Sequence, residues 1–159
     1  MRATTARLLT VAVTALTAVA LVAGPAHAAR RTPTTTYGGY CDLDGFAIPT
    51  VTGILKRVDY GAHANCFTGT RPREIIVQSH LYSGSSRVGS TSLARCYDCY
   101  EISVISSYTT LITTATRAET DLTVHLYPSG GEKFLTPAPP GCTVYNSGHS
   151  IWCHVTDYA

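Results

Sequence analysis

After residue 38 the chain reads as a succession of short extended segments. The clearest covers residues 74–82. Ile75, Val77 and Leu81, with Ser79 among them, fall on one face at period two, and Ile76, Gln78, His80 and Tyr82 fall on the other. The run 83–86 (Ser-Gly-Ser-Ser) predicts a turn, and 87–94 a return strand. Further on, Tyr100, Ile102 and Val104 alternate with Glu101 and Ser103. Leu122, Val124 and Leu126 alternate with Thr123, His125 and Tyr127 until Pro128 stops the run. Residues 109–117 are Thr-rich and β-branched and lack the three-four spacing of an amphipathic helix, so they read as another strand. A weaker pair comes earlier, at 50–56 and in the alternation of Val58, Tyr60, Ala62, Ala64 and Cys66. A last strand is expected around 151–155.

Seven or eight strands with regular turn signals and no long helix predict an all-β fold. The expected form is a disulfide-stapled antiparallel β-sandwich of immunoglobulin-like architecture, a single domain over residues 39–159. The strict immunoglobulin signature is missing, because the one tryptophan, Trp152, sits beside Cys153 near the end rather than between two bridging cysteines. Residues 29–38 are polar and without periodicity, which predicts a flexible tail.

The first 28 residues read as an address. Arg2 and Arg7 precede an uncharged Leu-, Val- and Ala-rich run, Gly24-Pro25 ends it, and Ala26-His27-Ala28 places small residues where a signal peptidase cuts. The run is short for a membrane span, which needs about 20 strongly apolar residues. Removing this segment takes Arg2 and Arg7 from a chain of formal charge +2 and leaves a near-neutral protein. Such a balance offers no electrostatic footprint for nucleic acid or for an anionic membrane.

All six cysteines follow the cleavage point, and in an exported chain an even number reads as a disulfide framework: Cys41, Cys66, Cys96, Cys99, Cys142 and Cys153. Spacing favours Cys142 with Cys153 across the turn signal Asn146-Ser147-Gly148, and Cys96 with Cys99 around a small loop, leaving Cys41 for Cys66. Other pairings stay open, since sequence does not determine connectivity. Two functional readings compete. Cys96-Tyr97-Asp98-Cys99 has C-x-x-C spacing, but a strand pattern follows it and Asp98 disfavours a thiolate. His149, Cys153 and His154, with Cys142, gather ligand types for zinc, but an oxidising compartment favours bridges over thiolates.

Motifs for common chemistries are absent. No G-x-S-x-G, H-E-x-x-H, phosphate loop or dinucleotide fingerprint occurs. Asp42 and Asp44 share one strand face but read as a solvated turn leading to Gly45. Arg71, Arg73, Glu74 and His80 contain the residue types of a ribonuclease-like His–carboxylate–Arg set, with Glu74 and His80 on one face of a strand; no catalytic role is assigned to them. Among ten tyrosines, Tyr97 and Tyr100 bracket the short cysteine loop, and Tyr82, Tyr127 and Tyr145 fall near strand ends. Exposed tyrosines suit protein or sugar recognition, although strand propensity alone accounts for the same residues. The pentad His80-Leu81-Tyr82-Ser83-Gly84 is echoed by His125-Leu126-Tyr127-Pro128-Ser129-Gly130, which predicts two strands leaving into similar turns.

The leader, the strand ending Leu-Tyr-Ser-Gly, the Cys96–Cys99 loop and the closing Gly141-Cys142 and Trp152-Cys153 together resemble small secreted β-sandwich proteins of high-GC Gram-positive bacteria. That resemblance implies a bacterial, secreted, extracellular protein and carries over no catalytic residue. The reading that follows is a non-enzymatic binding or interaction module for an extracellular protein or cell-surface carbohydrate. Its patch is placed at Tyr97, Asp98 and Tyr100, with no metal, cofactor or nucleic acid and no membrane attachment after leader removal. The alternatives are a small secreted hydrolase of RNA or glycans, and a secreted inhibitor or antimicrobial protein.

Overall fold

The computed structural model describes residues 30–35, 38–67 and 69–159; the expected leader lies outside them. Among the described residues there are nine strands: β1 (Arg30–Pro33), β2 (Tyr40–Thr52), β3 (Leu55–Phe67), β4 (Pro72–Ser83), β5 (Ser86–Tyr97), β6 (Glu101–Leu111), β7 (Thr116–Leu126), β8 (Cys142–Tyr145) and β9 (Ser150–Tyr158). They form two antiparallel sheets, ordered β1-β2-β3-β6 and β5-β4-β7-β9-β8. The predicted all-β class with antiparallel sheets therefore holds.

Several boundaries differ from the expectation. Arg30–Pro33 is no tail: it pairs with 40–43 of β2, the Thr32 hydroxyl donates to the Cys41 carbonyl at 2.9 Å, and Arg31 forms an ion pair with Asp42. A polar four-residue strand has no periodicity to detect, and its order comes from its neighbour. Asp42 and Asp44 lie inside β2, flanking fully buried Leu43, rather than in a turn. The run 50–56 folds back at Gly53, where φ is +61°. The Thr-rich run 109–117 is likewise cut between β6 and β7. β-Branched propensity favours extended backbone on both sides of a turn and does not mark the turn itself.

The alternation seen in the sequence builds the core. Leu43, Ala62, Ala64, Ile75, Val77, Leu122, Val124 and Ile151 point inward from both sheets and pack together with two of the disulfides. A second, smaller cluster of Ala47, Val58, Tyr60, Leu81 and Ala118 fills the other end. Between the two clusters the inward positions turn small and polar. Gly45 on β2 stands over Thr120 of β7, leaving only 2.7 Å between that side chain and a hypothetical Cβ. The Thr120 hydroxyl donates in turn to Ser79 of β4 at 2.9 Å. Tyr60, fully buried on β3, donates its hydroxyl to the Ser90 carbonyl on the opposite sheet. The β4–β5 register slips beside this point, and Gly89, at φ +70°, allows the β5 backbone to turn that carbonyl inward.

The bridges join Cys41 to Cys66, Cys96 to Cys99, and Cys142 to Cys153. Cys41–Cys66 and Cys142–Cys153 each link directly paired positions of adjacent strands, and Cys96–Cys99 closes the loop between β5 and β6. This is the pairing that spacing favoured. With each pair bridged, none of these sulfurs is a free thiol for redox chemistry or a thiolate for zinc.

Candidate functional site

Register places functional side chains in a row across the larger sheet. On its outer face Tyr97 of β5 stands opposite Glu74 of β4, Glu74 opposite His125 of β7, His125 opposite Ser150 of β9, and Ser150 opposite Tyr145 of β8. The side chains join up. The Glu74 carboxylate lies 3.2 Å from Arg95 Nε through Oε1 and 4.0 Å from His125 Nε2 through Oε2. The other nitrogen of His125 shares a 2.8 Å hydrogen bond with the buried Ser150 hydroxyl, and the Tyr145 ring meets the imidazole edge-on. Arg95 donates to the Tyr97 hydroxyl at 3.3 Å. Burial pushes His125 below the usual histidine range, against the pull of Glu74 and with help from Arg73 and Arg95. Burial also raises the Tyr145 phenol.

The ribonuclease-like set is therefore regrouped. Glu74 and His80 share the outer face of β4, but six residues of strand separate them by about 20 Å. His80 instead meets Gln78 at 3.0 Å, and the imidazole beside Glu74 belongs to His125. Period two put His125 on the outer face; only the β4–β7 register could put it next to Glu74. The echoed pentads do end two strands, but β4 and β7 run antiparallel, so they leave the sheet at opposite ends.

Beyond one end of the row lies the loop expected to form the patch. Tyr97 and Tyr100 are 63% and 50% exposed. Asp98 sits between the bridged cysteines with φ +53°, and its amide donates to the Arg73 carbonyl at 3.1 Å. The Cys66 amide donates to the Tyr100 carbonyl at 2.7 Å and ties the loop to β3. The Asp98 carboxylate is engaged as well, accepting a hydrogen bond from Tyr127, which raises that phenol above its ordinary value. The sequence places Tyr127 near a strand end, and only the fold joins it to Asp98, 29 positions away.

Tyr127 also forms one wall of a cleft of about 460 Å³, lined further by Gly69, Arg71, Ser129, Gly130 and Glu132. Pro128 opens a single 3₁₀ turn after β7, and Gly131, at φ +68°, ends it and returns the chain toward β1. Glu132 is thereby fixed at both oxygens: Oε1 accepts from the Thr34 hydroxyl at 2.9 Å and Oε2 from the Arg71 amide at 3.2 Å. Elsewhere, His154 Nδ1 lies 3.0 Å from Asp121, and among the described residues no group of three or more His, Cys, Asp or Glu side chains is disposed to hold a metal ion.

No protein-family model, curated protein or solved structure matches this chain, so the functional reading rests on its own geometry.

Proposed function

We propose that this is an extracellular, non-enzymatic binding module on an immunoglobulin-like sandwich, recognising a cell-surface carbohydrate or an extracellular protein. The strand order supports the architecture. β2, β3 and β6 occupy the places of strands A, B and E, and β4, β7 and β9 those of C, F and G, with β5 beside C and short β1 and β8 at the edges. Three disulfides suit an oxidising compartment. The observation that carries the binding reading is the bridged loop, which holds two exposed tyrosines on a backbone anchored by Arg73 and Cys66, with the Asp98 side chain held by Tyr127. Rigid, semi-polar aromatic surface of this kind contributes contact area at low entropic cost. The test is retention of the leader-free protein on immobilised cell-wall polysaccharide and on secreted proteins, beside Tyr97→Ala and Tyr100→Ala. Specific retention by the native protein, lost in folded variants, is expected. A native protein that retains nothing overturns the reading.

Glu74, His125 and Arg95 favour one second reading, a small hydrolase of RNA. A carboxylate to accept the 2′-hydroxyl proton, a histidine to protonate the leaving oxygen and a guanidinium to meet phosphoryl charge suffice for phosphodiester cleavage without metal, and because burial disfavours the charged imidazole such cleavage would be confined to acid pH. Cleavage of RNA that disappears in Glu74→Gln and His125→Asn would establish it, and inert native protein would remove it.

A further inference from the structure

We infer that the cleft between Tyr127 and Glu132 is a saccharide subsite that seats one pyranose unit of a neutral glycan; this deepens, and rests on, the binding-module reading. The volume of about 460 Å³ lies within the range of small-ligand sites and admits a sugar ring with a substituent. Its lining matches what a sugar presents. A pyranose has an apolar face of C–H groups, and Tyr127 brings an aromatic ring to the lining. It also carries hydroxyls that donate and accept together. Arg71 supplies donors only, Glu132 acceptors only, Ser129 serves either way, and the Tyr127 hydroxyl, its proton given to Asp98, can accept. Having guanidinium and carboxylate in one cleft suits a neutral polyol better than an ion, since either charge on a ligand would meet its like.

The site is built before any ligand arrives. Tyr127 is held by Asp98, which the Cys96–Cys99 loop and the Arg73 carbonyl hold in turn. Glu132 is held by Thr34 and the Arg71 amide. Groups already fixed lose little freedom on binding, which is the main cost for a hydroxyl-rich ligand. The anchor of the wall is the same loop that displays Tyr97 and Tyr100, so a glycan lying across those tyrosines can place one ring in the cleft.

The experiment titrates the leader-free protein with soluble neutral, N-acetylated and uronate oligosaccharides, following amide shifts by NMR and affinity by calorimetry. The variants are Tyr127→Ala, Tyr127→Phe, Glu132→Gln and Arg71→Ala, with Tyr158→Ala at the far end of the molecule as control. The expected result is binding of neutral or N-acetylated sugars, shifts centred on residues 127–132, and affinity lower by about tenfold or more in Tyr127→Ala and Arg71→Ala. Tyr127→Phe, which keeps the ring and loses the hydroxyl together with its tether to Asp98, should fall between, and Tyr158→Ala should match the native protein. Glycan binding that the cleft variants leave unchanged overturns the subsite while the module reading stands. Preference for uronates overturns the neutral-sugar assignment. A protein that binds secreted proteins but no sugar overturns the subsite alone, and one that binds neither overturns both. Circular dichroism checks each variant's fold, and the near-isosteric Tyr127→Phe and Glu132→Gln keep the test open if a truncation unfolds.

Discussion

Glu74 and His125 face each other across the β4–β7 ladder, with carboxylate Oε2 4.0 Å from Nε2 and both side chains largely covered. Arg95 neutralises the other side of the carboxylate, and Ser150 fixes the far side of the imidazole. The pair, itself on β4 and β7, is thus held by groups from β5 and β9, although its members lie far apart in the chain.

Stability should depend on pH through His125 of this pair and through His80. Burial holds both histidines below their ordinary value. Glu74 opposes that for His125 while Arg73 and Arg95 add to it; for His80, Arg87 adds to it while Asp121 and Glu119 oppose it. In the unfolded chain each takes up its proton near pH about 6.5, whereas in the fold it stays neutral to lower pH. The unfolded state therefore binds more protons below that point, and stability falls as pH falls through it. Thermal melts between about pH 7.5 and 5 should show the midpoint dropping. The slope should flatten in His80→Gln/His125→Gln; an unchanged slope in that variant would assign the effect elsewhere.

Replacing Gly89 should destabilise through two routes. Its φ of +70° disfavours any side chain, and a Cβ there would lie 2.6 Å from the Tyr60 hydroxyl. Gly89→Ala should cost about 2–4 kcal/mol in urea unfolding, more than the roughly 1 kcal/mol of an exposed left-handed glycine. Gly84, at φ +59° with open space around it, is the comparison site, and equal losses at the two positions would show that the Tyr60 contact contributes nothing.

The polar waist offers a double-mutant test. Thr120→Val leaves the buried Ser79 hydroxyl without its 2.9 Å partner and should cost about 1–3 kcal/mol. Adding Ser79→Ala removes the stranded group and should restore part of the loss, measured as a coupling free energy of about 0.5–1.5 kcal/mol. Additive losses would mean the two hydroxyls do not depend on each other.

The disulfides should differ in kind as well as size. They span 25, 11 and 3 positions, in the order Cys41–Cys66, Cys142–Cys153 and Cys96–Cys99. Chain entropy alone then ranks their removal at about 3.5, 3 and 2 kcal/mol. Paired Cys→Ala variants in denaturant titrations should follow that order. The Cys96→Ala/Cys99→Ala variant, least costly to the fold, should lose the most ligand affinity, because that bridge supports Asp98 and through it Tyr127. Unimpaired binding in that variant would separate the loop from the site.

Local pattern carried far in this chain. Alternation placed Ile75, Val77, Leu122 and Val124 inside and His80 and His125 outside, and all six are found there. Short loops between cysteines pointed to the bridges that form. Where the reading missed, as at Arg30–Pro33 or across Gly53, order came from a neighbouring strand or a turn hidden within β-favouring residues.

The amino-acid order by itself determined the all-β class, the inward and outward faces of the main strands and the cysteine spacing, because each depends on residues close together along the chain. Only the tertiary structure decided that Glu74 meets His125 and Arg95, that Tyr127 meets Asp98, and that Glu132 returns beneath Thr34 and Arg71. These contacts join positions up to 98 residues apart. They depend on which strands become neighbours and in what register, and period two, being the same at every register that keeps a face inward, cannot choose among those.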